Sequence, residues 1–294
     1  MTAKLIEGAP IAAAIRDRVR AQVAELPAPP RLVSVLASDD AGARFYARSQ
    51  SKACGEVGIG FELRDLGAGA SADELKAAVE ALNADASVSG VFLLVPVPDG
   101  VDAREIQLCI APDKDVEGIH PANIGRLFFG DFSLAPCTPR AAVAMLQEAG
   151  VVLEGKEAVV VGHSEIVGKP AVVMLLRSLM HAPTVTCCHI ATRDLASHTR
   201  RADVLIVAAG KPGLITGEMV KDGCVVVDVG INSVIVREGG RKKRRTVGDV
   251  DFDSVSPKAS LITPVPGGVG VVTSALLLQN VVECARRQHV GEQE

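Results

Sequence analysis

The chain has 294 residues, of which 48% are hydrophobic and 22% charged, a composition that provides for one or two substantial cores and favours two lobes. Its net charge of -4 and pI near 5.9 argue against a general nucleic-acid-binding surface. No signal segment opens the chain and no uninterrupted apolar span reaches about 18 residues. We therefore expect neither secretion nor membrane insertion.

The cysteines and one basic run give further information on the class of protein. The seven cysteines show no C-x-x-C spacing, which predicts neither a zinc site nor a disulfide framework and favours a reduced, cytoplasmic protein without a metal. Residues 241–245 form a local run of five arginines and lysines that follows Gly239 and Gly240. We interpret this run as a solvated hairpin tip.

In the first half of the chain, strand and helix patterns alternate without a low-complexity linker. Gly58 ends one helical pattern, and Ser71 with Glu74 forms a capping box that begins the next. The patterns predict helices over residues 11–25, 44–57 and 71–83 and strands over residues 31–38 and 61–66. Over residues 90–98 they predict a buried strand that runs into a proline-stiffened loop. Such alternation predicts an α/β fold with parallel strands joined by right-handed crossovers.

The pattern changes near Gly150. Residues 157–170 read as a strand, a glycine turn and a helix, and further strands are predicted over residues 184–190, 202–210 and 224–232. This order is typical of a Rossmann-like dinucleotide-binding domain. A last helix over residues 273–287 is expected to pack back on the first lobe.

Glycine turns follow several of these strands. Gly162, His163 and Ser164 precede Gly168 at a predicted helix N-terminus, where the helix dipole favours a phosphate. The spacing is not G-x-G-x-x-G, so the turn alone is equally compatible with simple strand-to-helix punctuation. Residues 208–210 and 228–232 end two later strands, where open α/β sheets bind ligands, and they favour a cofactor site.

Polar residues at two other places have two interpretations each. Tyr46 and Gln50 share a helix face, whereas Lys52 lies about 200° around the helix from Gln50. Tyr46 is either a core-edge residue or a platform for a ligand. Asp115 and Glu117 form either an acid/base pair or a turn capped by Asp115 and followed by a cleft-facing Glu117.

Three proline-rich segments, at residues 95–98, 135–139 and 263–270, predict rigid walls with few side chains around a flat ligand. Together with other motifs they resemble the methylenetetrahydrofolate dehydrogenase/cyclohydrolase family. The motifs are Tyr46 with KACGEVGI (52–59), VPVP (95–98), DKDVEGIHPANIGRL (113–127), PCTP (136–139), GHSEIVGKP (162–170), DVGIN (228–232), GDVDF (248–252) and TPVPGGVG (263–270).

The resemblance implies a folate-binding catalytic domain over residues 1–140 plus 273–294 and a Rossmann-like domain for NAD or NADP over residues 141–272. It implies a folate cleft between two lobes and a homodimer. The family oxidises 5,10-methylenetetrahydrofolate and then hydrolyses the methenyl product to 10-formyltetrahydrofolate.

Site residues follow from the same resemblance. Catalytic positions are Gln50, Tyr46 and Glu117. Substrate-binding positions are Tyr46, Leu94, Val95, Pro96, Glu117, Pro264, Gly267 and Gly268. Cofactor-binding positions are Gly162, His163, Ser164, Val167, Ile190, Ala209, Gly210, Ile231 and Thr273.

This sequence departs from the family pattern at the reaction centre. Gln50 stands at the position of the lysine that exchanges protons during hydrolysis, and an amide cannot do so near neutral pH. Leu94 replaces the glutamine that holds this lysine, and Glu117 replaces the pterin-binding aspartate. Another proline of the family pattern is lost after Gly270.

Two further departures concern the cofactor. In NADP-using relatives an arginine and a serine help to hold the 2′-phosphate, and here His163 and Ile190 stand at these positions. A histidine is mostly neutral near pH 7 and isoleucine has no donor, so NAD is favoured over NADP.

Three functions stay open. We favour a dehydrogenase with little or no cyclohydrolase activity. The alternatives are a bifunctional enzyme in which other groups activate water, and a non-redox folate-binding protein or one-carbon enzyme of another pathway.

Overall fold

Two sets of parallel strands organise the chain, in line with the predicted α/β alternation. The computed structural model describes residues 2–238 and 241–291. The chain divides into a six-strand unit, Met1–Ala12 with Thr138–Thr273, and a three-strand unit, Ala13–Cys137 with Ser274–Glu294.

The described strands are β1 (Lys4–Leu5), β2 (Arg31–Leu36), β3 (Gly60–Asp65), β4 (Gly90–Leu93), β5 (Glu157–Val161), β6 (Thr184–Cys188), β7 (Val204–Val207), β8 (Val225–Asp228), β9 (Asn232–Glu238), β10 (Arg241–Val247) and β11 (Leu261–Ile262). The described helices are α1 (Gly8–Ala24), α2 (Ala41–Val57), α3 (Ala72–Ala84), α4 (Ala103–Cys109), α5 (Pro121–Phe128), α6 (Cys137–Glu148), α7 (Gly168–Leu175), α8 (Leu195–Thr199), α9 (Phe252–Val255) and α10 (Val269–Gly291).

The three-strand unit contains a parallel sheet in the order β3-β2-β4. Strand β2 is central and almost wholly buried, as its near-continuous apolar run requires. Helix α2 begins where Asp40 accepts a hydrogen bond from Ala43 N and ends at Gly58, whose φ of 84° is left-handed. Helix α3 begins with the predicted capping box of Ser71 and Glu74.

The C-terminal helix α10 packs on the three-strand unit from Ser274 onward, as predicted. Asn280 Nδ2 donates to the carbonyl oxygens of Val116 (2.9 Å) and Ala135 (3.2 Å). The segment Val269–His289 is long and apolar enough to cross a membrane, but 61% of its most hydropathic window is buried in the fold. That degree of burial is what a core helix of a globular domain shows.

The six-strand unit contains a parallel sheet in the order β1-β11-β8-β7-β5-β6. The chain moves from β5 to β6 on one side and then to β7 on the other. This change of direction is the switch point at which open α/β sheets bind ligands, beyond the carboxyl ends of the strands. The Rossmann-like prediction for this region is confirmed.

The first residues of the chain belong to the six-strand unit. Strand β1 pairs with β11 through Lys4 and Leu261, and Gly8 N donates to Gly267 O at 2.8 Å. The sequence-based boundary placed residues 1–140 in one domain, because a two-residue strand carries no signal for its distant partner. Which domain binds which ligand stays a prediction.

Strands β9 and β10 form an antiparallel hairpin, with a register running from Asn232 opposite Val247 to Glu238 opposite Arg241. A hairpin was predicted here, but its basic run lies along strand β10 instead of at the tip. Gly239 and Gly240, expected to lead into that run, lie outside the described residues.

Candidate active site

One face of helix α2 carries the two polar residues singled out from the sequence. The Tyr46 ring is half-buried, with its centroid 5.8 Å from that of Phe92, and Gln50 is only 5% exposed. The Lys52 side chain is 81% exposed and lies 3.9 Å from Glu56. The structure thus places Tyr46 and Gln50 on the inner side of the helix and Lys52 on the solvent side.

The Gln50 amide is held on one side only. Its Oε1 accepts a hydrogen bond from Ser34 Oγ at 3.0 Å, whereas its buried Nε2 makes no hydrogen bond of standard geometry among the described residues, although the amide interacts with the Tyr46 hydroxyl. A buried donor without a hydrogen bond of standard geometry is costly, which suits it to a water or a ligand atom. Burial raises the pKa of Tyr46 to about 12, electrostatic interaction with Cys137 and Glu117 adds to the rise, and hydrogen bonding with Ser274 and Gln50 opposes it.

Asp115 is a structural residue. It is 3% exposed, and its Oδ1 accepts from Gly118 N at 3.0 Å. Its Oδ2 accepts from His120 N at 2.7 Å and from Asn123 Nδ2 at 3.0 Å. With its oxygens engaged in this way, Asp115 caps the turn, which is the second of the two interpretations offered by the sequence.

Glu117 has a different environment. Its carboxyl is half-buried, and burial raises its pKa to about 8; the Asp115 charge adds to the rise and Arg104 opposes it. A carboxyl with this pKa exchanges protons near neutral pH and donates a hydrogen bond while it is protonated.

The predicted substrate-binding residues that follow β4 differ in their exposure to solvent. Val95 is 55% exposed and Pro96 is also exposed, so both are accessible to a ligand. Leu94 is 1% exposed and packs in a core cluster with Leu36 and Ala47. The Leu94 side chain therefore contributes to the core of this unit.

Predicted cofactor residues collect at one edge of the six-strand sheet. They follow the carboxyl ends of adjacent strands: Gly162 after β5, Ile190 after β6, Ala209 and Gly210 after β7, and Ile231 after β8. This edge contains the switch point, so the arrangement suits an extended dinucleotide.

The turn after β5 is built by close backbone contacts. Gly162 has a φ of 131°, and a Cβ there would lie 2.1 Å from Ala208 O; a Cβ at Gly168 would lie 2.0 Å from Gly162 O. Ser164 Oγ accepts from Val167 N (3.2 Å) and Gly168 N (3.4 Å), at the N-terminus of α7. These contacts fit the phosphate-binding turn of a dinucleotide site.

Two histidines lie beside this turn. The exposed rings of His163 and His189 meet edge to face, with centroids 4.6 Å apart. His189 Nδ1 accepts a hydrogen bond from Ala191 N at 3.2 Å, so this ring has a structural partner.

Gly162→Ala is expected to lower the free energy of unfolding by about 2–5 kcal/mol, because left-handed strain and a clash with Ala208 add together. Gly155→Ala is the matched control: its φ of 70° is also left-handed, but a Cβ there meets no heavy atom within 4 Å. We expect it to cost about 1–2 kcal/mol. Urea unfolding measures both, and equal costs would contradict the proposed contact.

A cavity of about 240 Å³ opens at the end of β8. It is lined by Asp228, Val229, Gly230, Ile231, Thr246 and Pro264 to Val271. Three predicted substrate residues and one predicted cofactor residue thus meet here: Pro264, Gly267, Gly268 and Ile231. Thr273 is not among the lining residues; its hydroxyl donates to Val269 O within helix α10 at 3.0 Å.

At some of the glycines in the cavity wall, an added side chain would clash with neighbouring atoms. A Cβ at Gly268 would lie 2.5 Å from Pro264 O, and one at Gly270 would lie 3.3 Å from Ile231 Cδ1. Backbone and proline rings make a slot suited to a planar group, which fits a nicotinamide or a pterin ring.

Two buried aspartates that the sequence reasoning did not select organise the loops around this cavity. Asp249 Oδ2 accepts from Ala209 N (2.6 Å) and Gly210 N (2.8 Å). Asp228 accepts from the backbone N–H groups of Gly230, Asp249 and Val250. Burial raises the pKa of Asp228 to about 6 although these hydrogen bonds oppose the rise. These two aspartates lie in the DVGIN and GDVDF motifs, which were the available sequence signal for them.

Within residues 2–238 and 241–291, no group of three or more His, Cys, Asp or Glu side chains could hold a metal ion. The cysteines at positions 54, 109, 137, 187, 188, 224 and 284 are free thiols.

Comparison with known sequences decides the family. The family model for the "Tetrahydrofolate dehydrogenase/cyclohydrolase, catalytic domain" matches residues 6–117. The model for the "Tetrahydrofolate dehydrogenase/cyclohydrolase, NAD(P)-binding domain" matches residues 136–289. The chain belongs to the tetrahydrofolate dehydrogenase/cyclohydrolase family. The resemblance inferred from its motifs is confirmed.

Individual members of the tetrahydrofolate dehydrogenase/cyclohydrolase family match over nearly the full length. The bifunctional protein FolD of Moorella thermoacetica is 48% identical over 98% of this chain and 100% of its own. The crystal structure of the bifunctional FolD from Campylobacter jejuni has 41% identity and a TM-score of 0.89, covering 97% of this chain and 99% of its own. The Trypanosoma brucei FolD, solved with NADP and an inhibitor, has 32% identity and a TM-score of 0.89, with 98% of both chains covered.

Proposed function

We propose that this family member is an NAD(P)-dependent 5,10-methylenetetrahydrofolate dehydrogenase whose cyclohydrolase activity is weak or absent. The observation that carries the proposal is Gln50. It occupies the lysine position on the inner face of α2, where Ser34 holds its amide oxygen. An amide at this place orients a water or a substrate but does not take up or release its proton.

The two reactions of the family place different demands on the protein. Dehydrogenation mainly requires that the methylene carbon be held against the cofactor, which is a problem of positioning. When bound, the nicotinamide supplies the acceptor for the hydride that leaves this carbon. Hydrolysis of the methenyl product requires a group that deprotonates water, and in this chain the family's lysine is absent.

Several residues are available for positioning. We propose that the Tyr46 ring supports the folate and that the Glu117 carboxyl hydrogen-bonds its pterin. We propose that a planar ring lies against the glycine-rich wall at residues 264–270, which lines the cavity. The turn at Gly162 and the α7 N-terminus would hold the dinucleotide phosphates.

We propose that NAD is used in preference to NADP. Ile190 is 62% exposed at the end of β6 and offers no hydrogen-bond donor to a 2′-phosphate. His163 occupies the position of an arginine in the family pattern. It lacks the permanent charge of an arginine and the several N–H donors of a guanidinium group.

A second candidate is a bifunctional enzyme in which Glu117 performs the proton transfer of the hydrolysis step. The pKa of about 8 at this half-buried carboxyl favours it, because a general base works best when its pKa is near the working pH. Glu117 has replaced a shorter carboxylate, so its reach differs from that of the family residue.

The deciding experiment supplies the purified protein with methylenetetrahydrofolate and either NAD or NADP. Reduced nicotinamide, methenyltetrahydrofolate and 10-formyltetrahydrofolate are recorded separately. We expect methenyl product to accumulate in step with reduced cofactor, with the higher kcat/KM for NAD. Conversion onward to the 10-formyl product would support the bifunctional candidate. Folate binding without either signal would replace both with a non-redox function.

We further propose a cytoplasmic homodimer that binds neither nucleic acid nor membrane. Apolar side chains exposed after α7, among them Leu179 and Met180, offer a surface for association with a second copy. Sedimentation equilibrium measures the mass in solution, and a monomer would contradict the dimer.

A further inference from the structure

The β9–β10 hairpin starts and ends at the cavity of the six-strand unit. Ile231, which directly precedes β9, and Thr246, near the end of β10, both line that cavity. The hairpin therefore projects from the cavity rim, and a ligand that extends out of the cavity on this side passes along it.

The strand periodicity divides the hairpin's side chains between two faces. Thr246, Arg244 and Lys242 alternate along β10 and so share one face, the cavity-side face; Arg244 pairs with Ile235 across the strands. Arg245 and Lys243 belong to the opposite face, where they pair with Val234 and Val236.

The cavity-side face combines apolar surface with positive charge. Ile231 is 69% exposed and Ile235 is 67% exposed, and the side chains of Lys242 and Arg244 are exposed beside them. Among the side chains that the structure describes, which do not include that of Glu238, no carboxylate forms an ion pair with Lys242 or Arg244. Neighbouring cations that lack counter-charges bind carboxylates or phosphates readily.

We propose that the cavity-side face binds the oligoglutamyl tail of the folate substrate. The tail joins an aromatic ring to a series of carboxylates, which matches exposed isoleucines near the rim followed by Arg244 and then Lys242. This inference rests on the proposed function, because it takes a folate as the ligand of the cavity.

The overall charge favours this occupant over a nucleic acid or an anionic membrane. The chain carries a net charge of -4, and its basic run is confined to one narrow hairpin. A polynucleotide or a lipid surface requires a broad cationic face, whereas a single flexible tail needs only a line of cations.

The test compares monoglutamyl with pentaglutamyl methylenetetrahydrofolate. We expect the KM of the unmodified protein to be about 10-fold lower for the pentaglutamate at low salt, with the difference shrinking as salt is added. Lys242→Gln with Arg244→Gln should remove most of this preference. Lys243→Gln with Arg245→Gln is the matched control: it changes the net charge equally on the opposite face and should keep the preference.

Direct binding of monoglutamyl and pentaglutamyl tetrahydrofolate to the same three proteins is measured alongside by calorimetry. If turnover is absent while the binding preference follows the cavity-side face, the dehydrogenase proposal fails and the tail site stands. Equal affinity for both folates, or equal loss in the two double variants, overturns the tail site. So does binding of an oligonucleotide or of phosphatidylserine vesicles that depends on Lys242 and Arg244 when pentaglutamate is not preferred.

Discussion

Methenyltetrahydrofolate hydrolysis is expected to rise by about 10²–10⁴-fold when Gln50→Lys is combined with Leu94→Gln. A lysine at position 50 would lie on the inner face of α2, where Gln50 is now 5% exposed. Loss of hydration at such a place lowers the pKa of an ammonium group toward neutrality. The residue would then exchange protons near the working pH, which the present amide cannot do.

Leu94→Gln supplies the second half of the change. Position 94 packs beside Ala43 and Ala47 of helix α2, so an amide there can reach the new lysine only if the cluster rearranges locally. Placing an amide in this apolar cluster costs about 1–3 kcal/mol of stability when it finds no partner. We therefore expect the single Leu94→Gln variant to be less stable than the double variant, by thermal unfolding.

Lys52→Gln is the control for a general effect of lysine on this helix. The Lys52 side chain is solvent-exposed and lies near Glu56, so its loss should leave both reactions unchanged. If the double variant folds and binds folate but hydrolyses methenyltetrahydrofolate no faster than the parent, hydrolysis depends on changes at more positions than these two.

Glu117→Ala is expected to lower kcat/KM for dehydrogenation by at least about 100-fold, because it removes the polar contact that we propose Glu117 makes to the pterin. Glu117→Gln should retain activity to within about 10-fold near pH 7. The pKa of about 8 means that the carboxyl is mostly protonated at that pH, and a glutamine amide replaces a protonated carboxyl as a donor.

The pH dependence separates these roles. In the parent protein kcat/KM should fall as pH rises through about 8 and the carboxyl ionises, and in Glu117→Gln this fall should be absent. A parent profile that instead rises through about 8 would show that the carboxylate anion is the active form. Loss of any residual hydrolysis in Glu117→Gln would support the bifunctional candidate.

The pH dependence of the free energy of unfolding should report the ionisation of Glu117 independently of catalysis. Folding raises the pKa of Glu117 from 4.5 to about 8, so the folded chain binds a proton that the unfolded chain releases in this range. The contribution of Glu117 to stability is therefore largest below pH 4.5 and is lost as pH rises toward 8. Glu117→Gln should flatten this part of the stability curve.

Much of the fold could be read from local patterns. The apolar runs that became β2, β5, β7 and β8 are buried on both faces, as parallel strands require, and Gly58 and Ser71 mark helix ends through their own backbone and side-chain chemistry. These signals are contained within a few neighbouring residues, so sequence alone suffices for them.

Other features depend on partners that are distant in the sequence. The pairing of β1 with β11 joins Lys4 to Leu261, and the contact of Asp249 with Ala209 and Gly210 spans about forty residues. The motif at position 94 suggested contact with substrate, but burial there depends on how α2 packs over the sheet. Family resemblance predicted site residues but did not predict which of them are accessible.

The slot formed by residues 264–270 has a consequence for how ligand preference in this chain can change. Three of its seven residues are glycines and two are prolines, so a point substitution can obstruct the slot but has few side chains to shorten there. Variants that escape an inhibitor while keeping the substrate should therefore arise at places that present replaceable groups. Helix α2 and the outer hairpin are such places, and there divergence can occur without damage to the ring-binding surface.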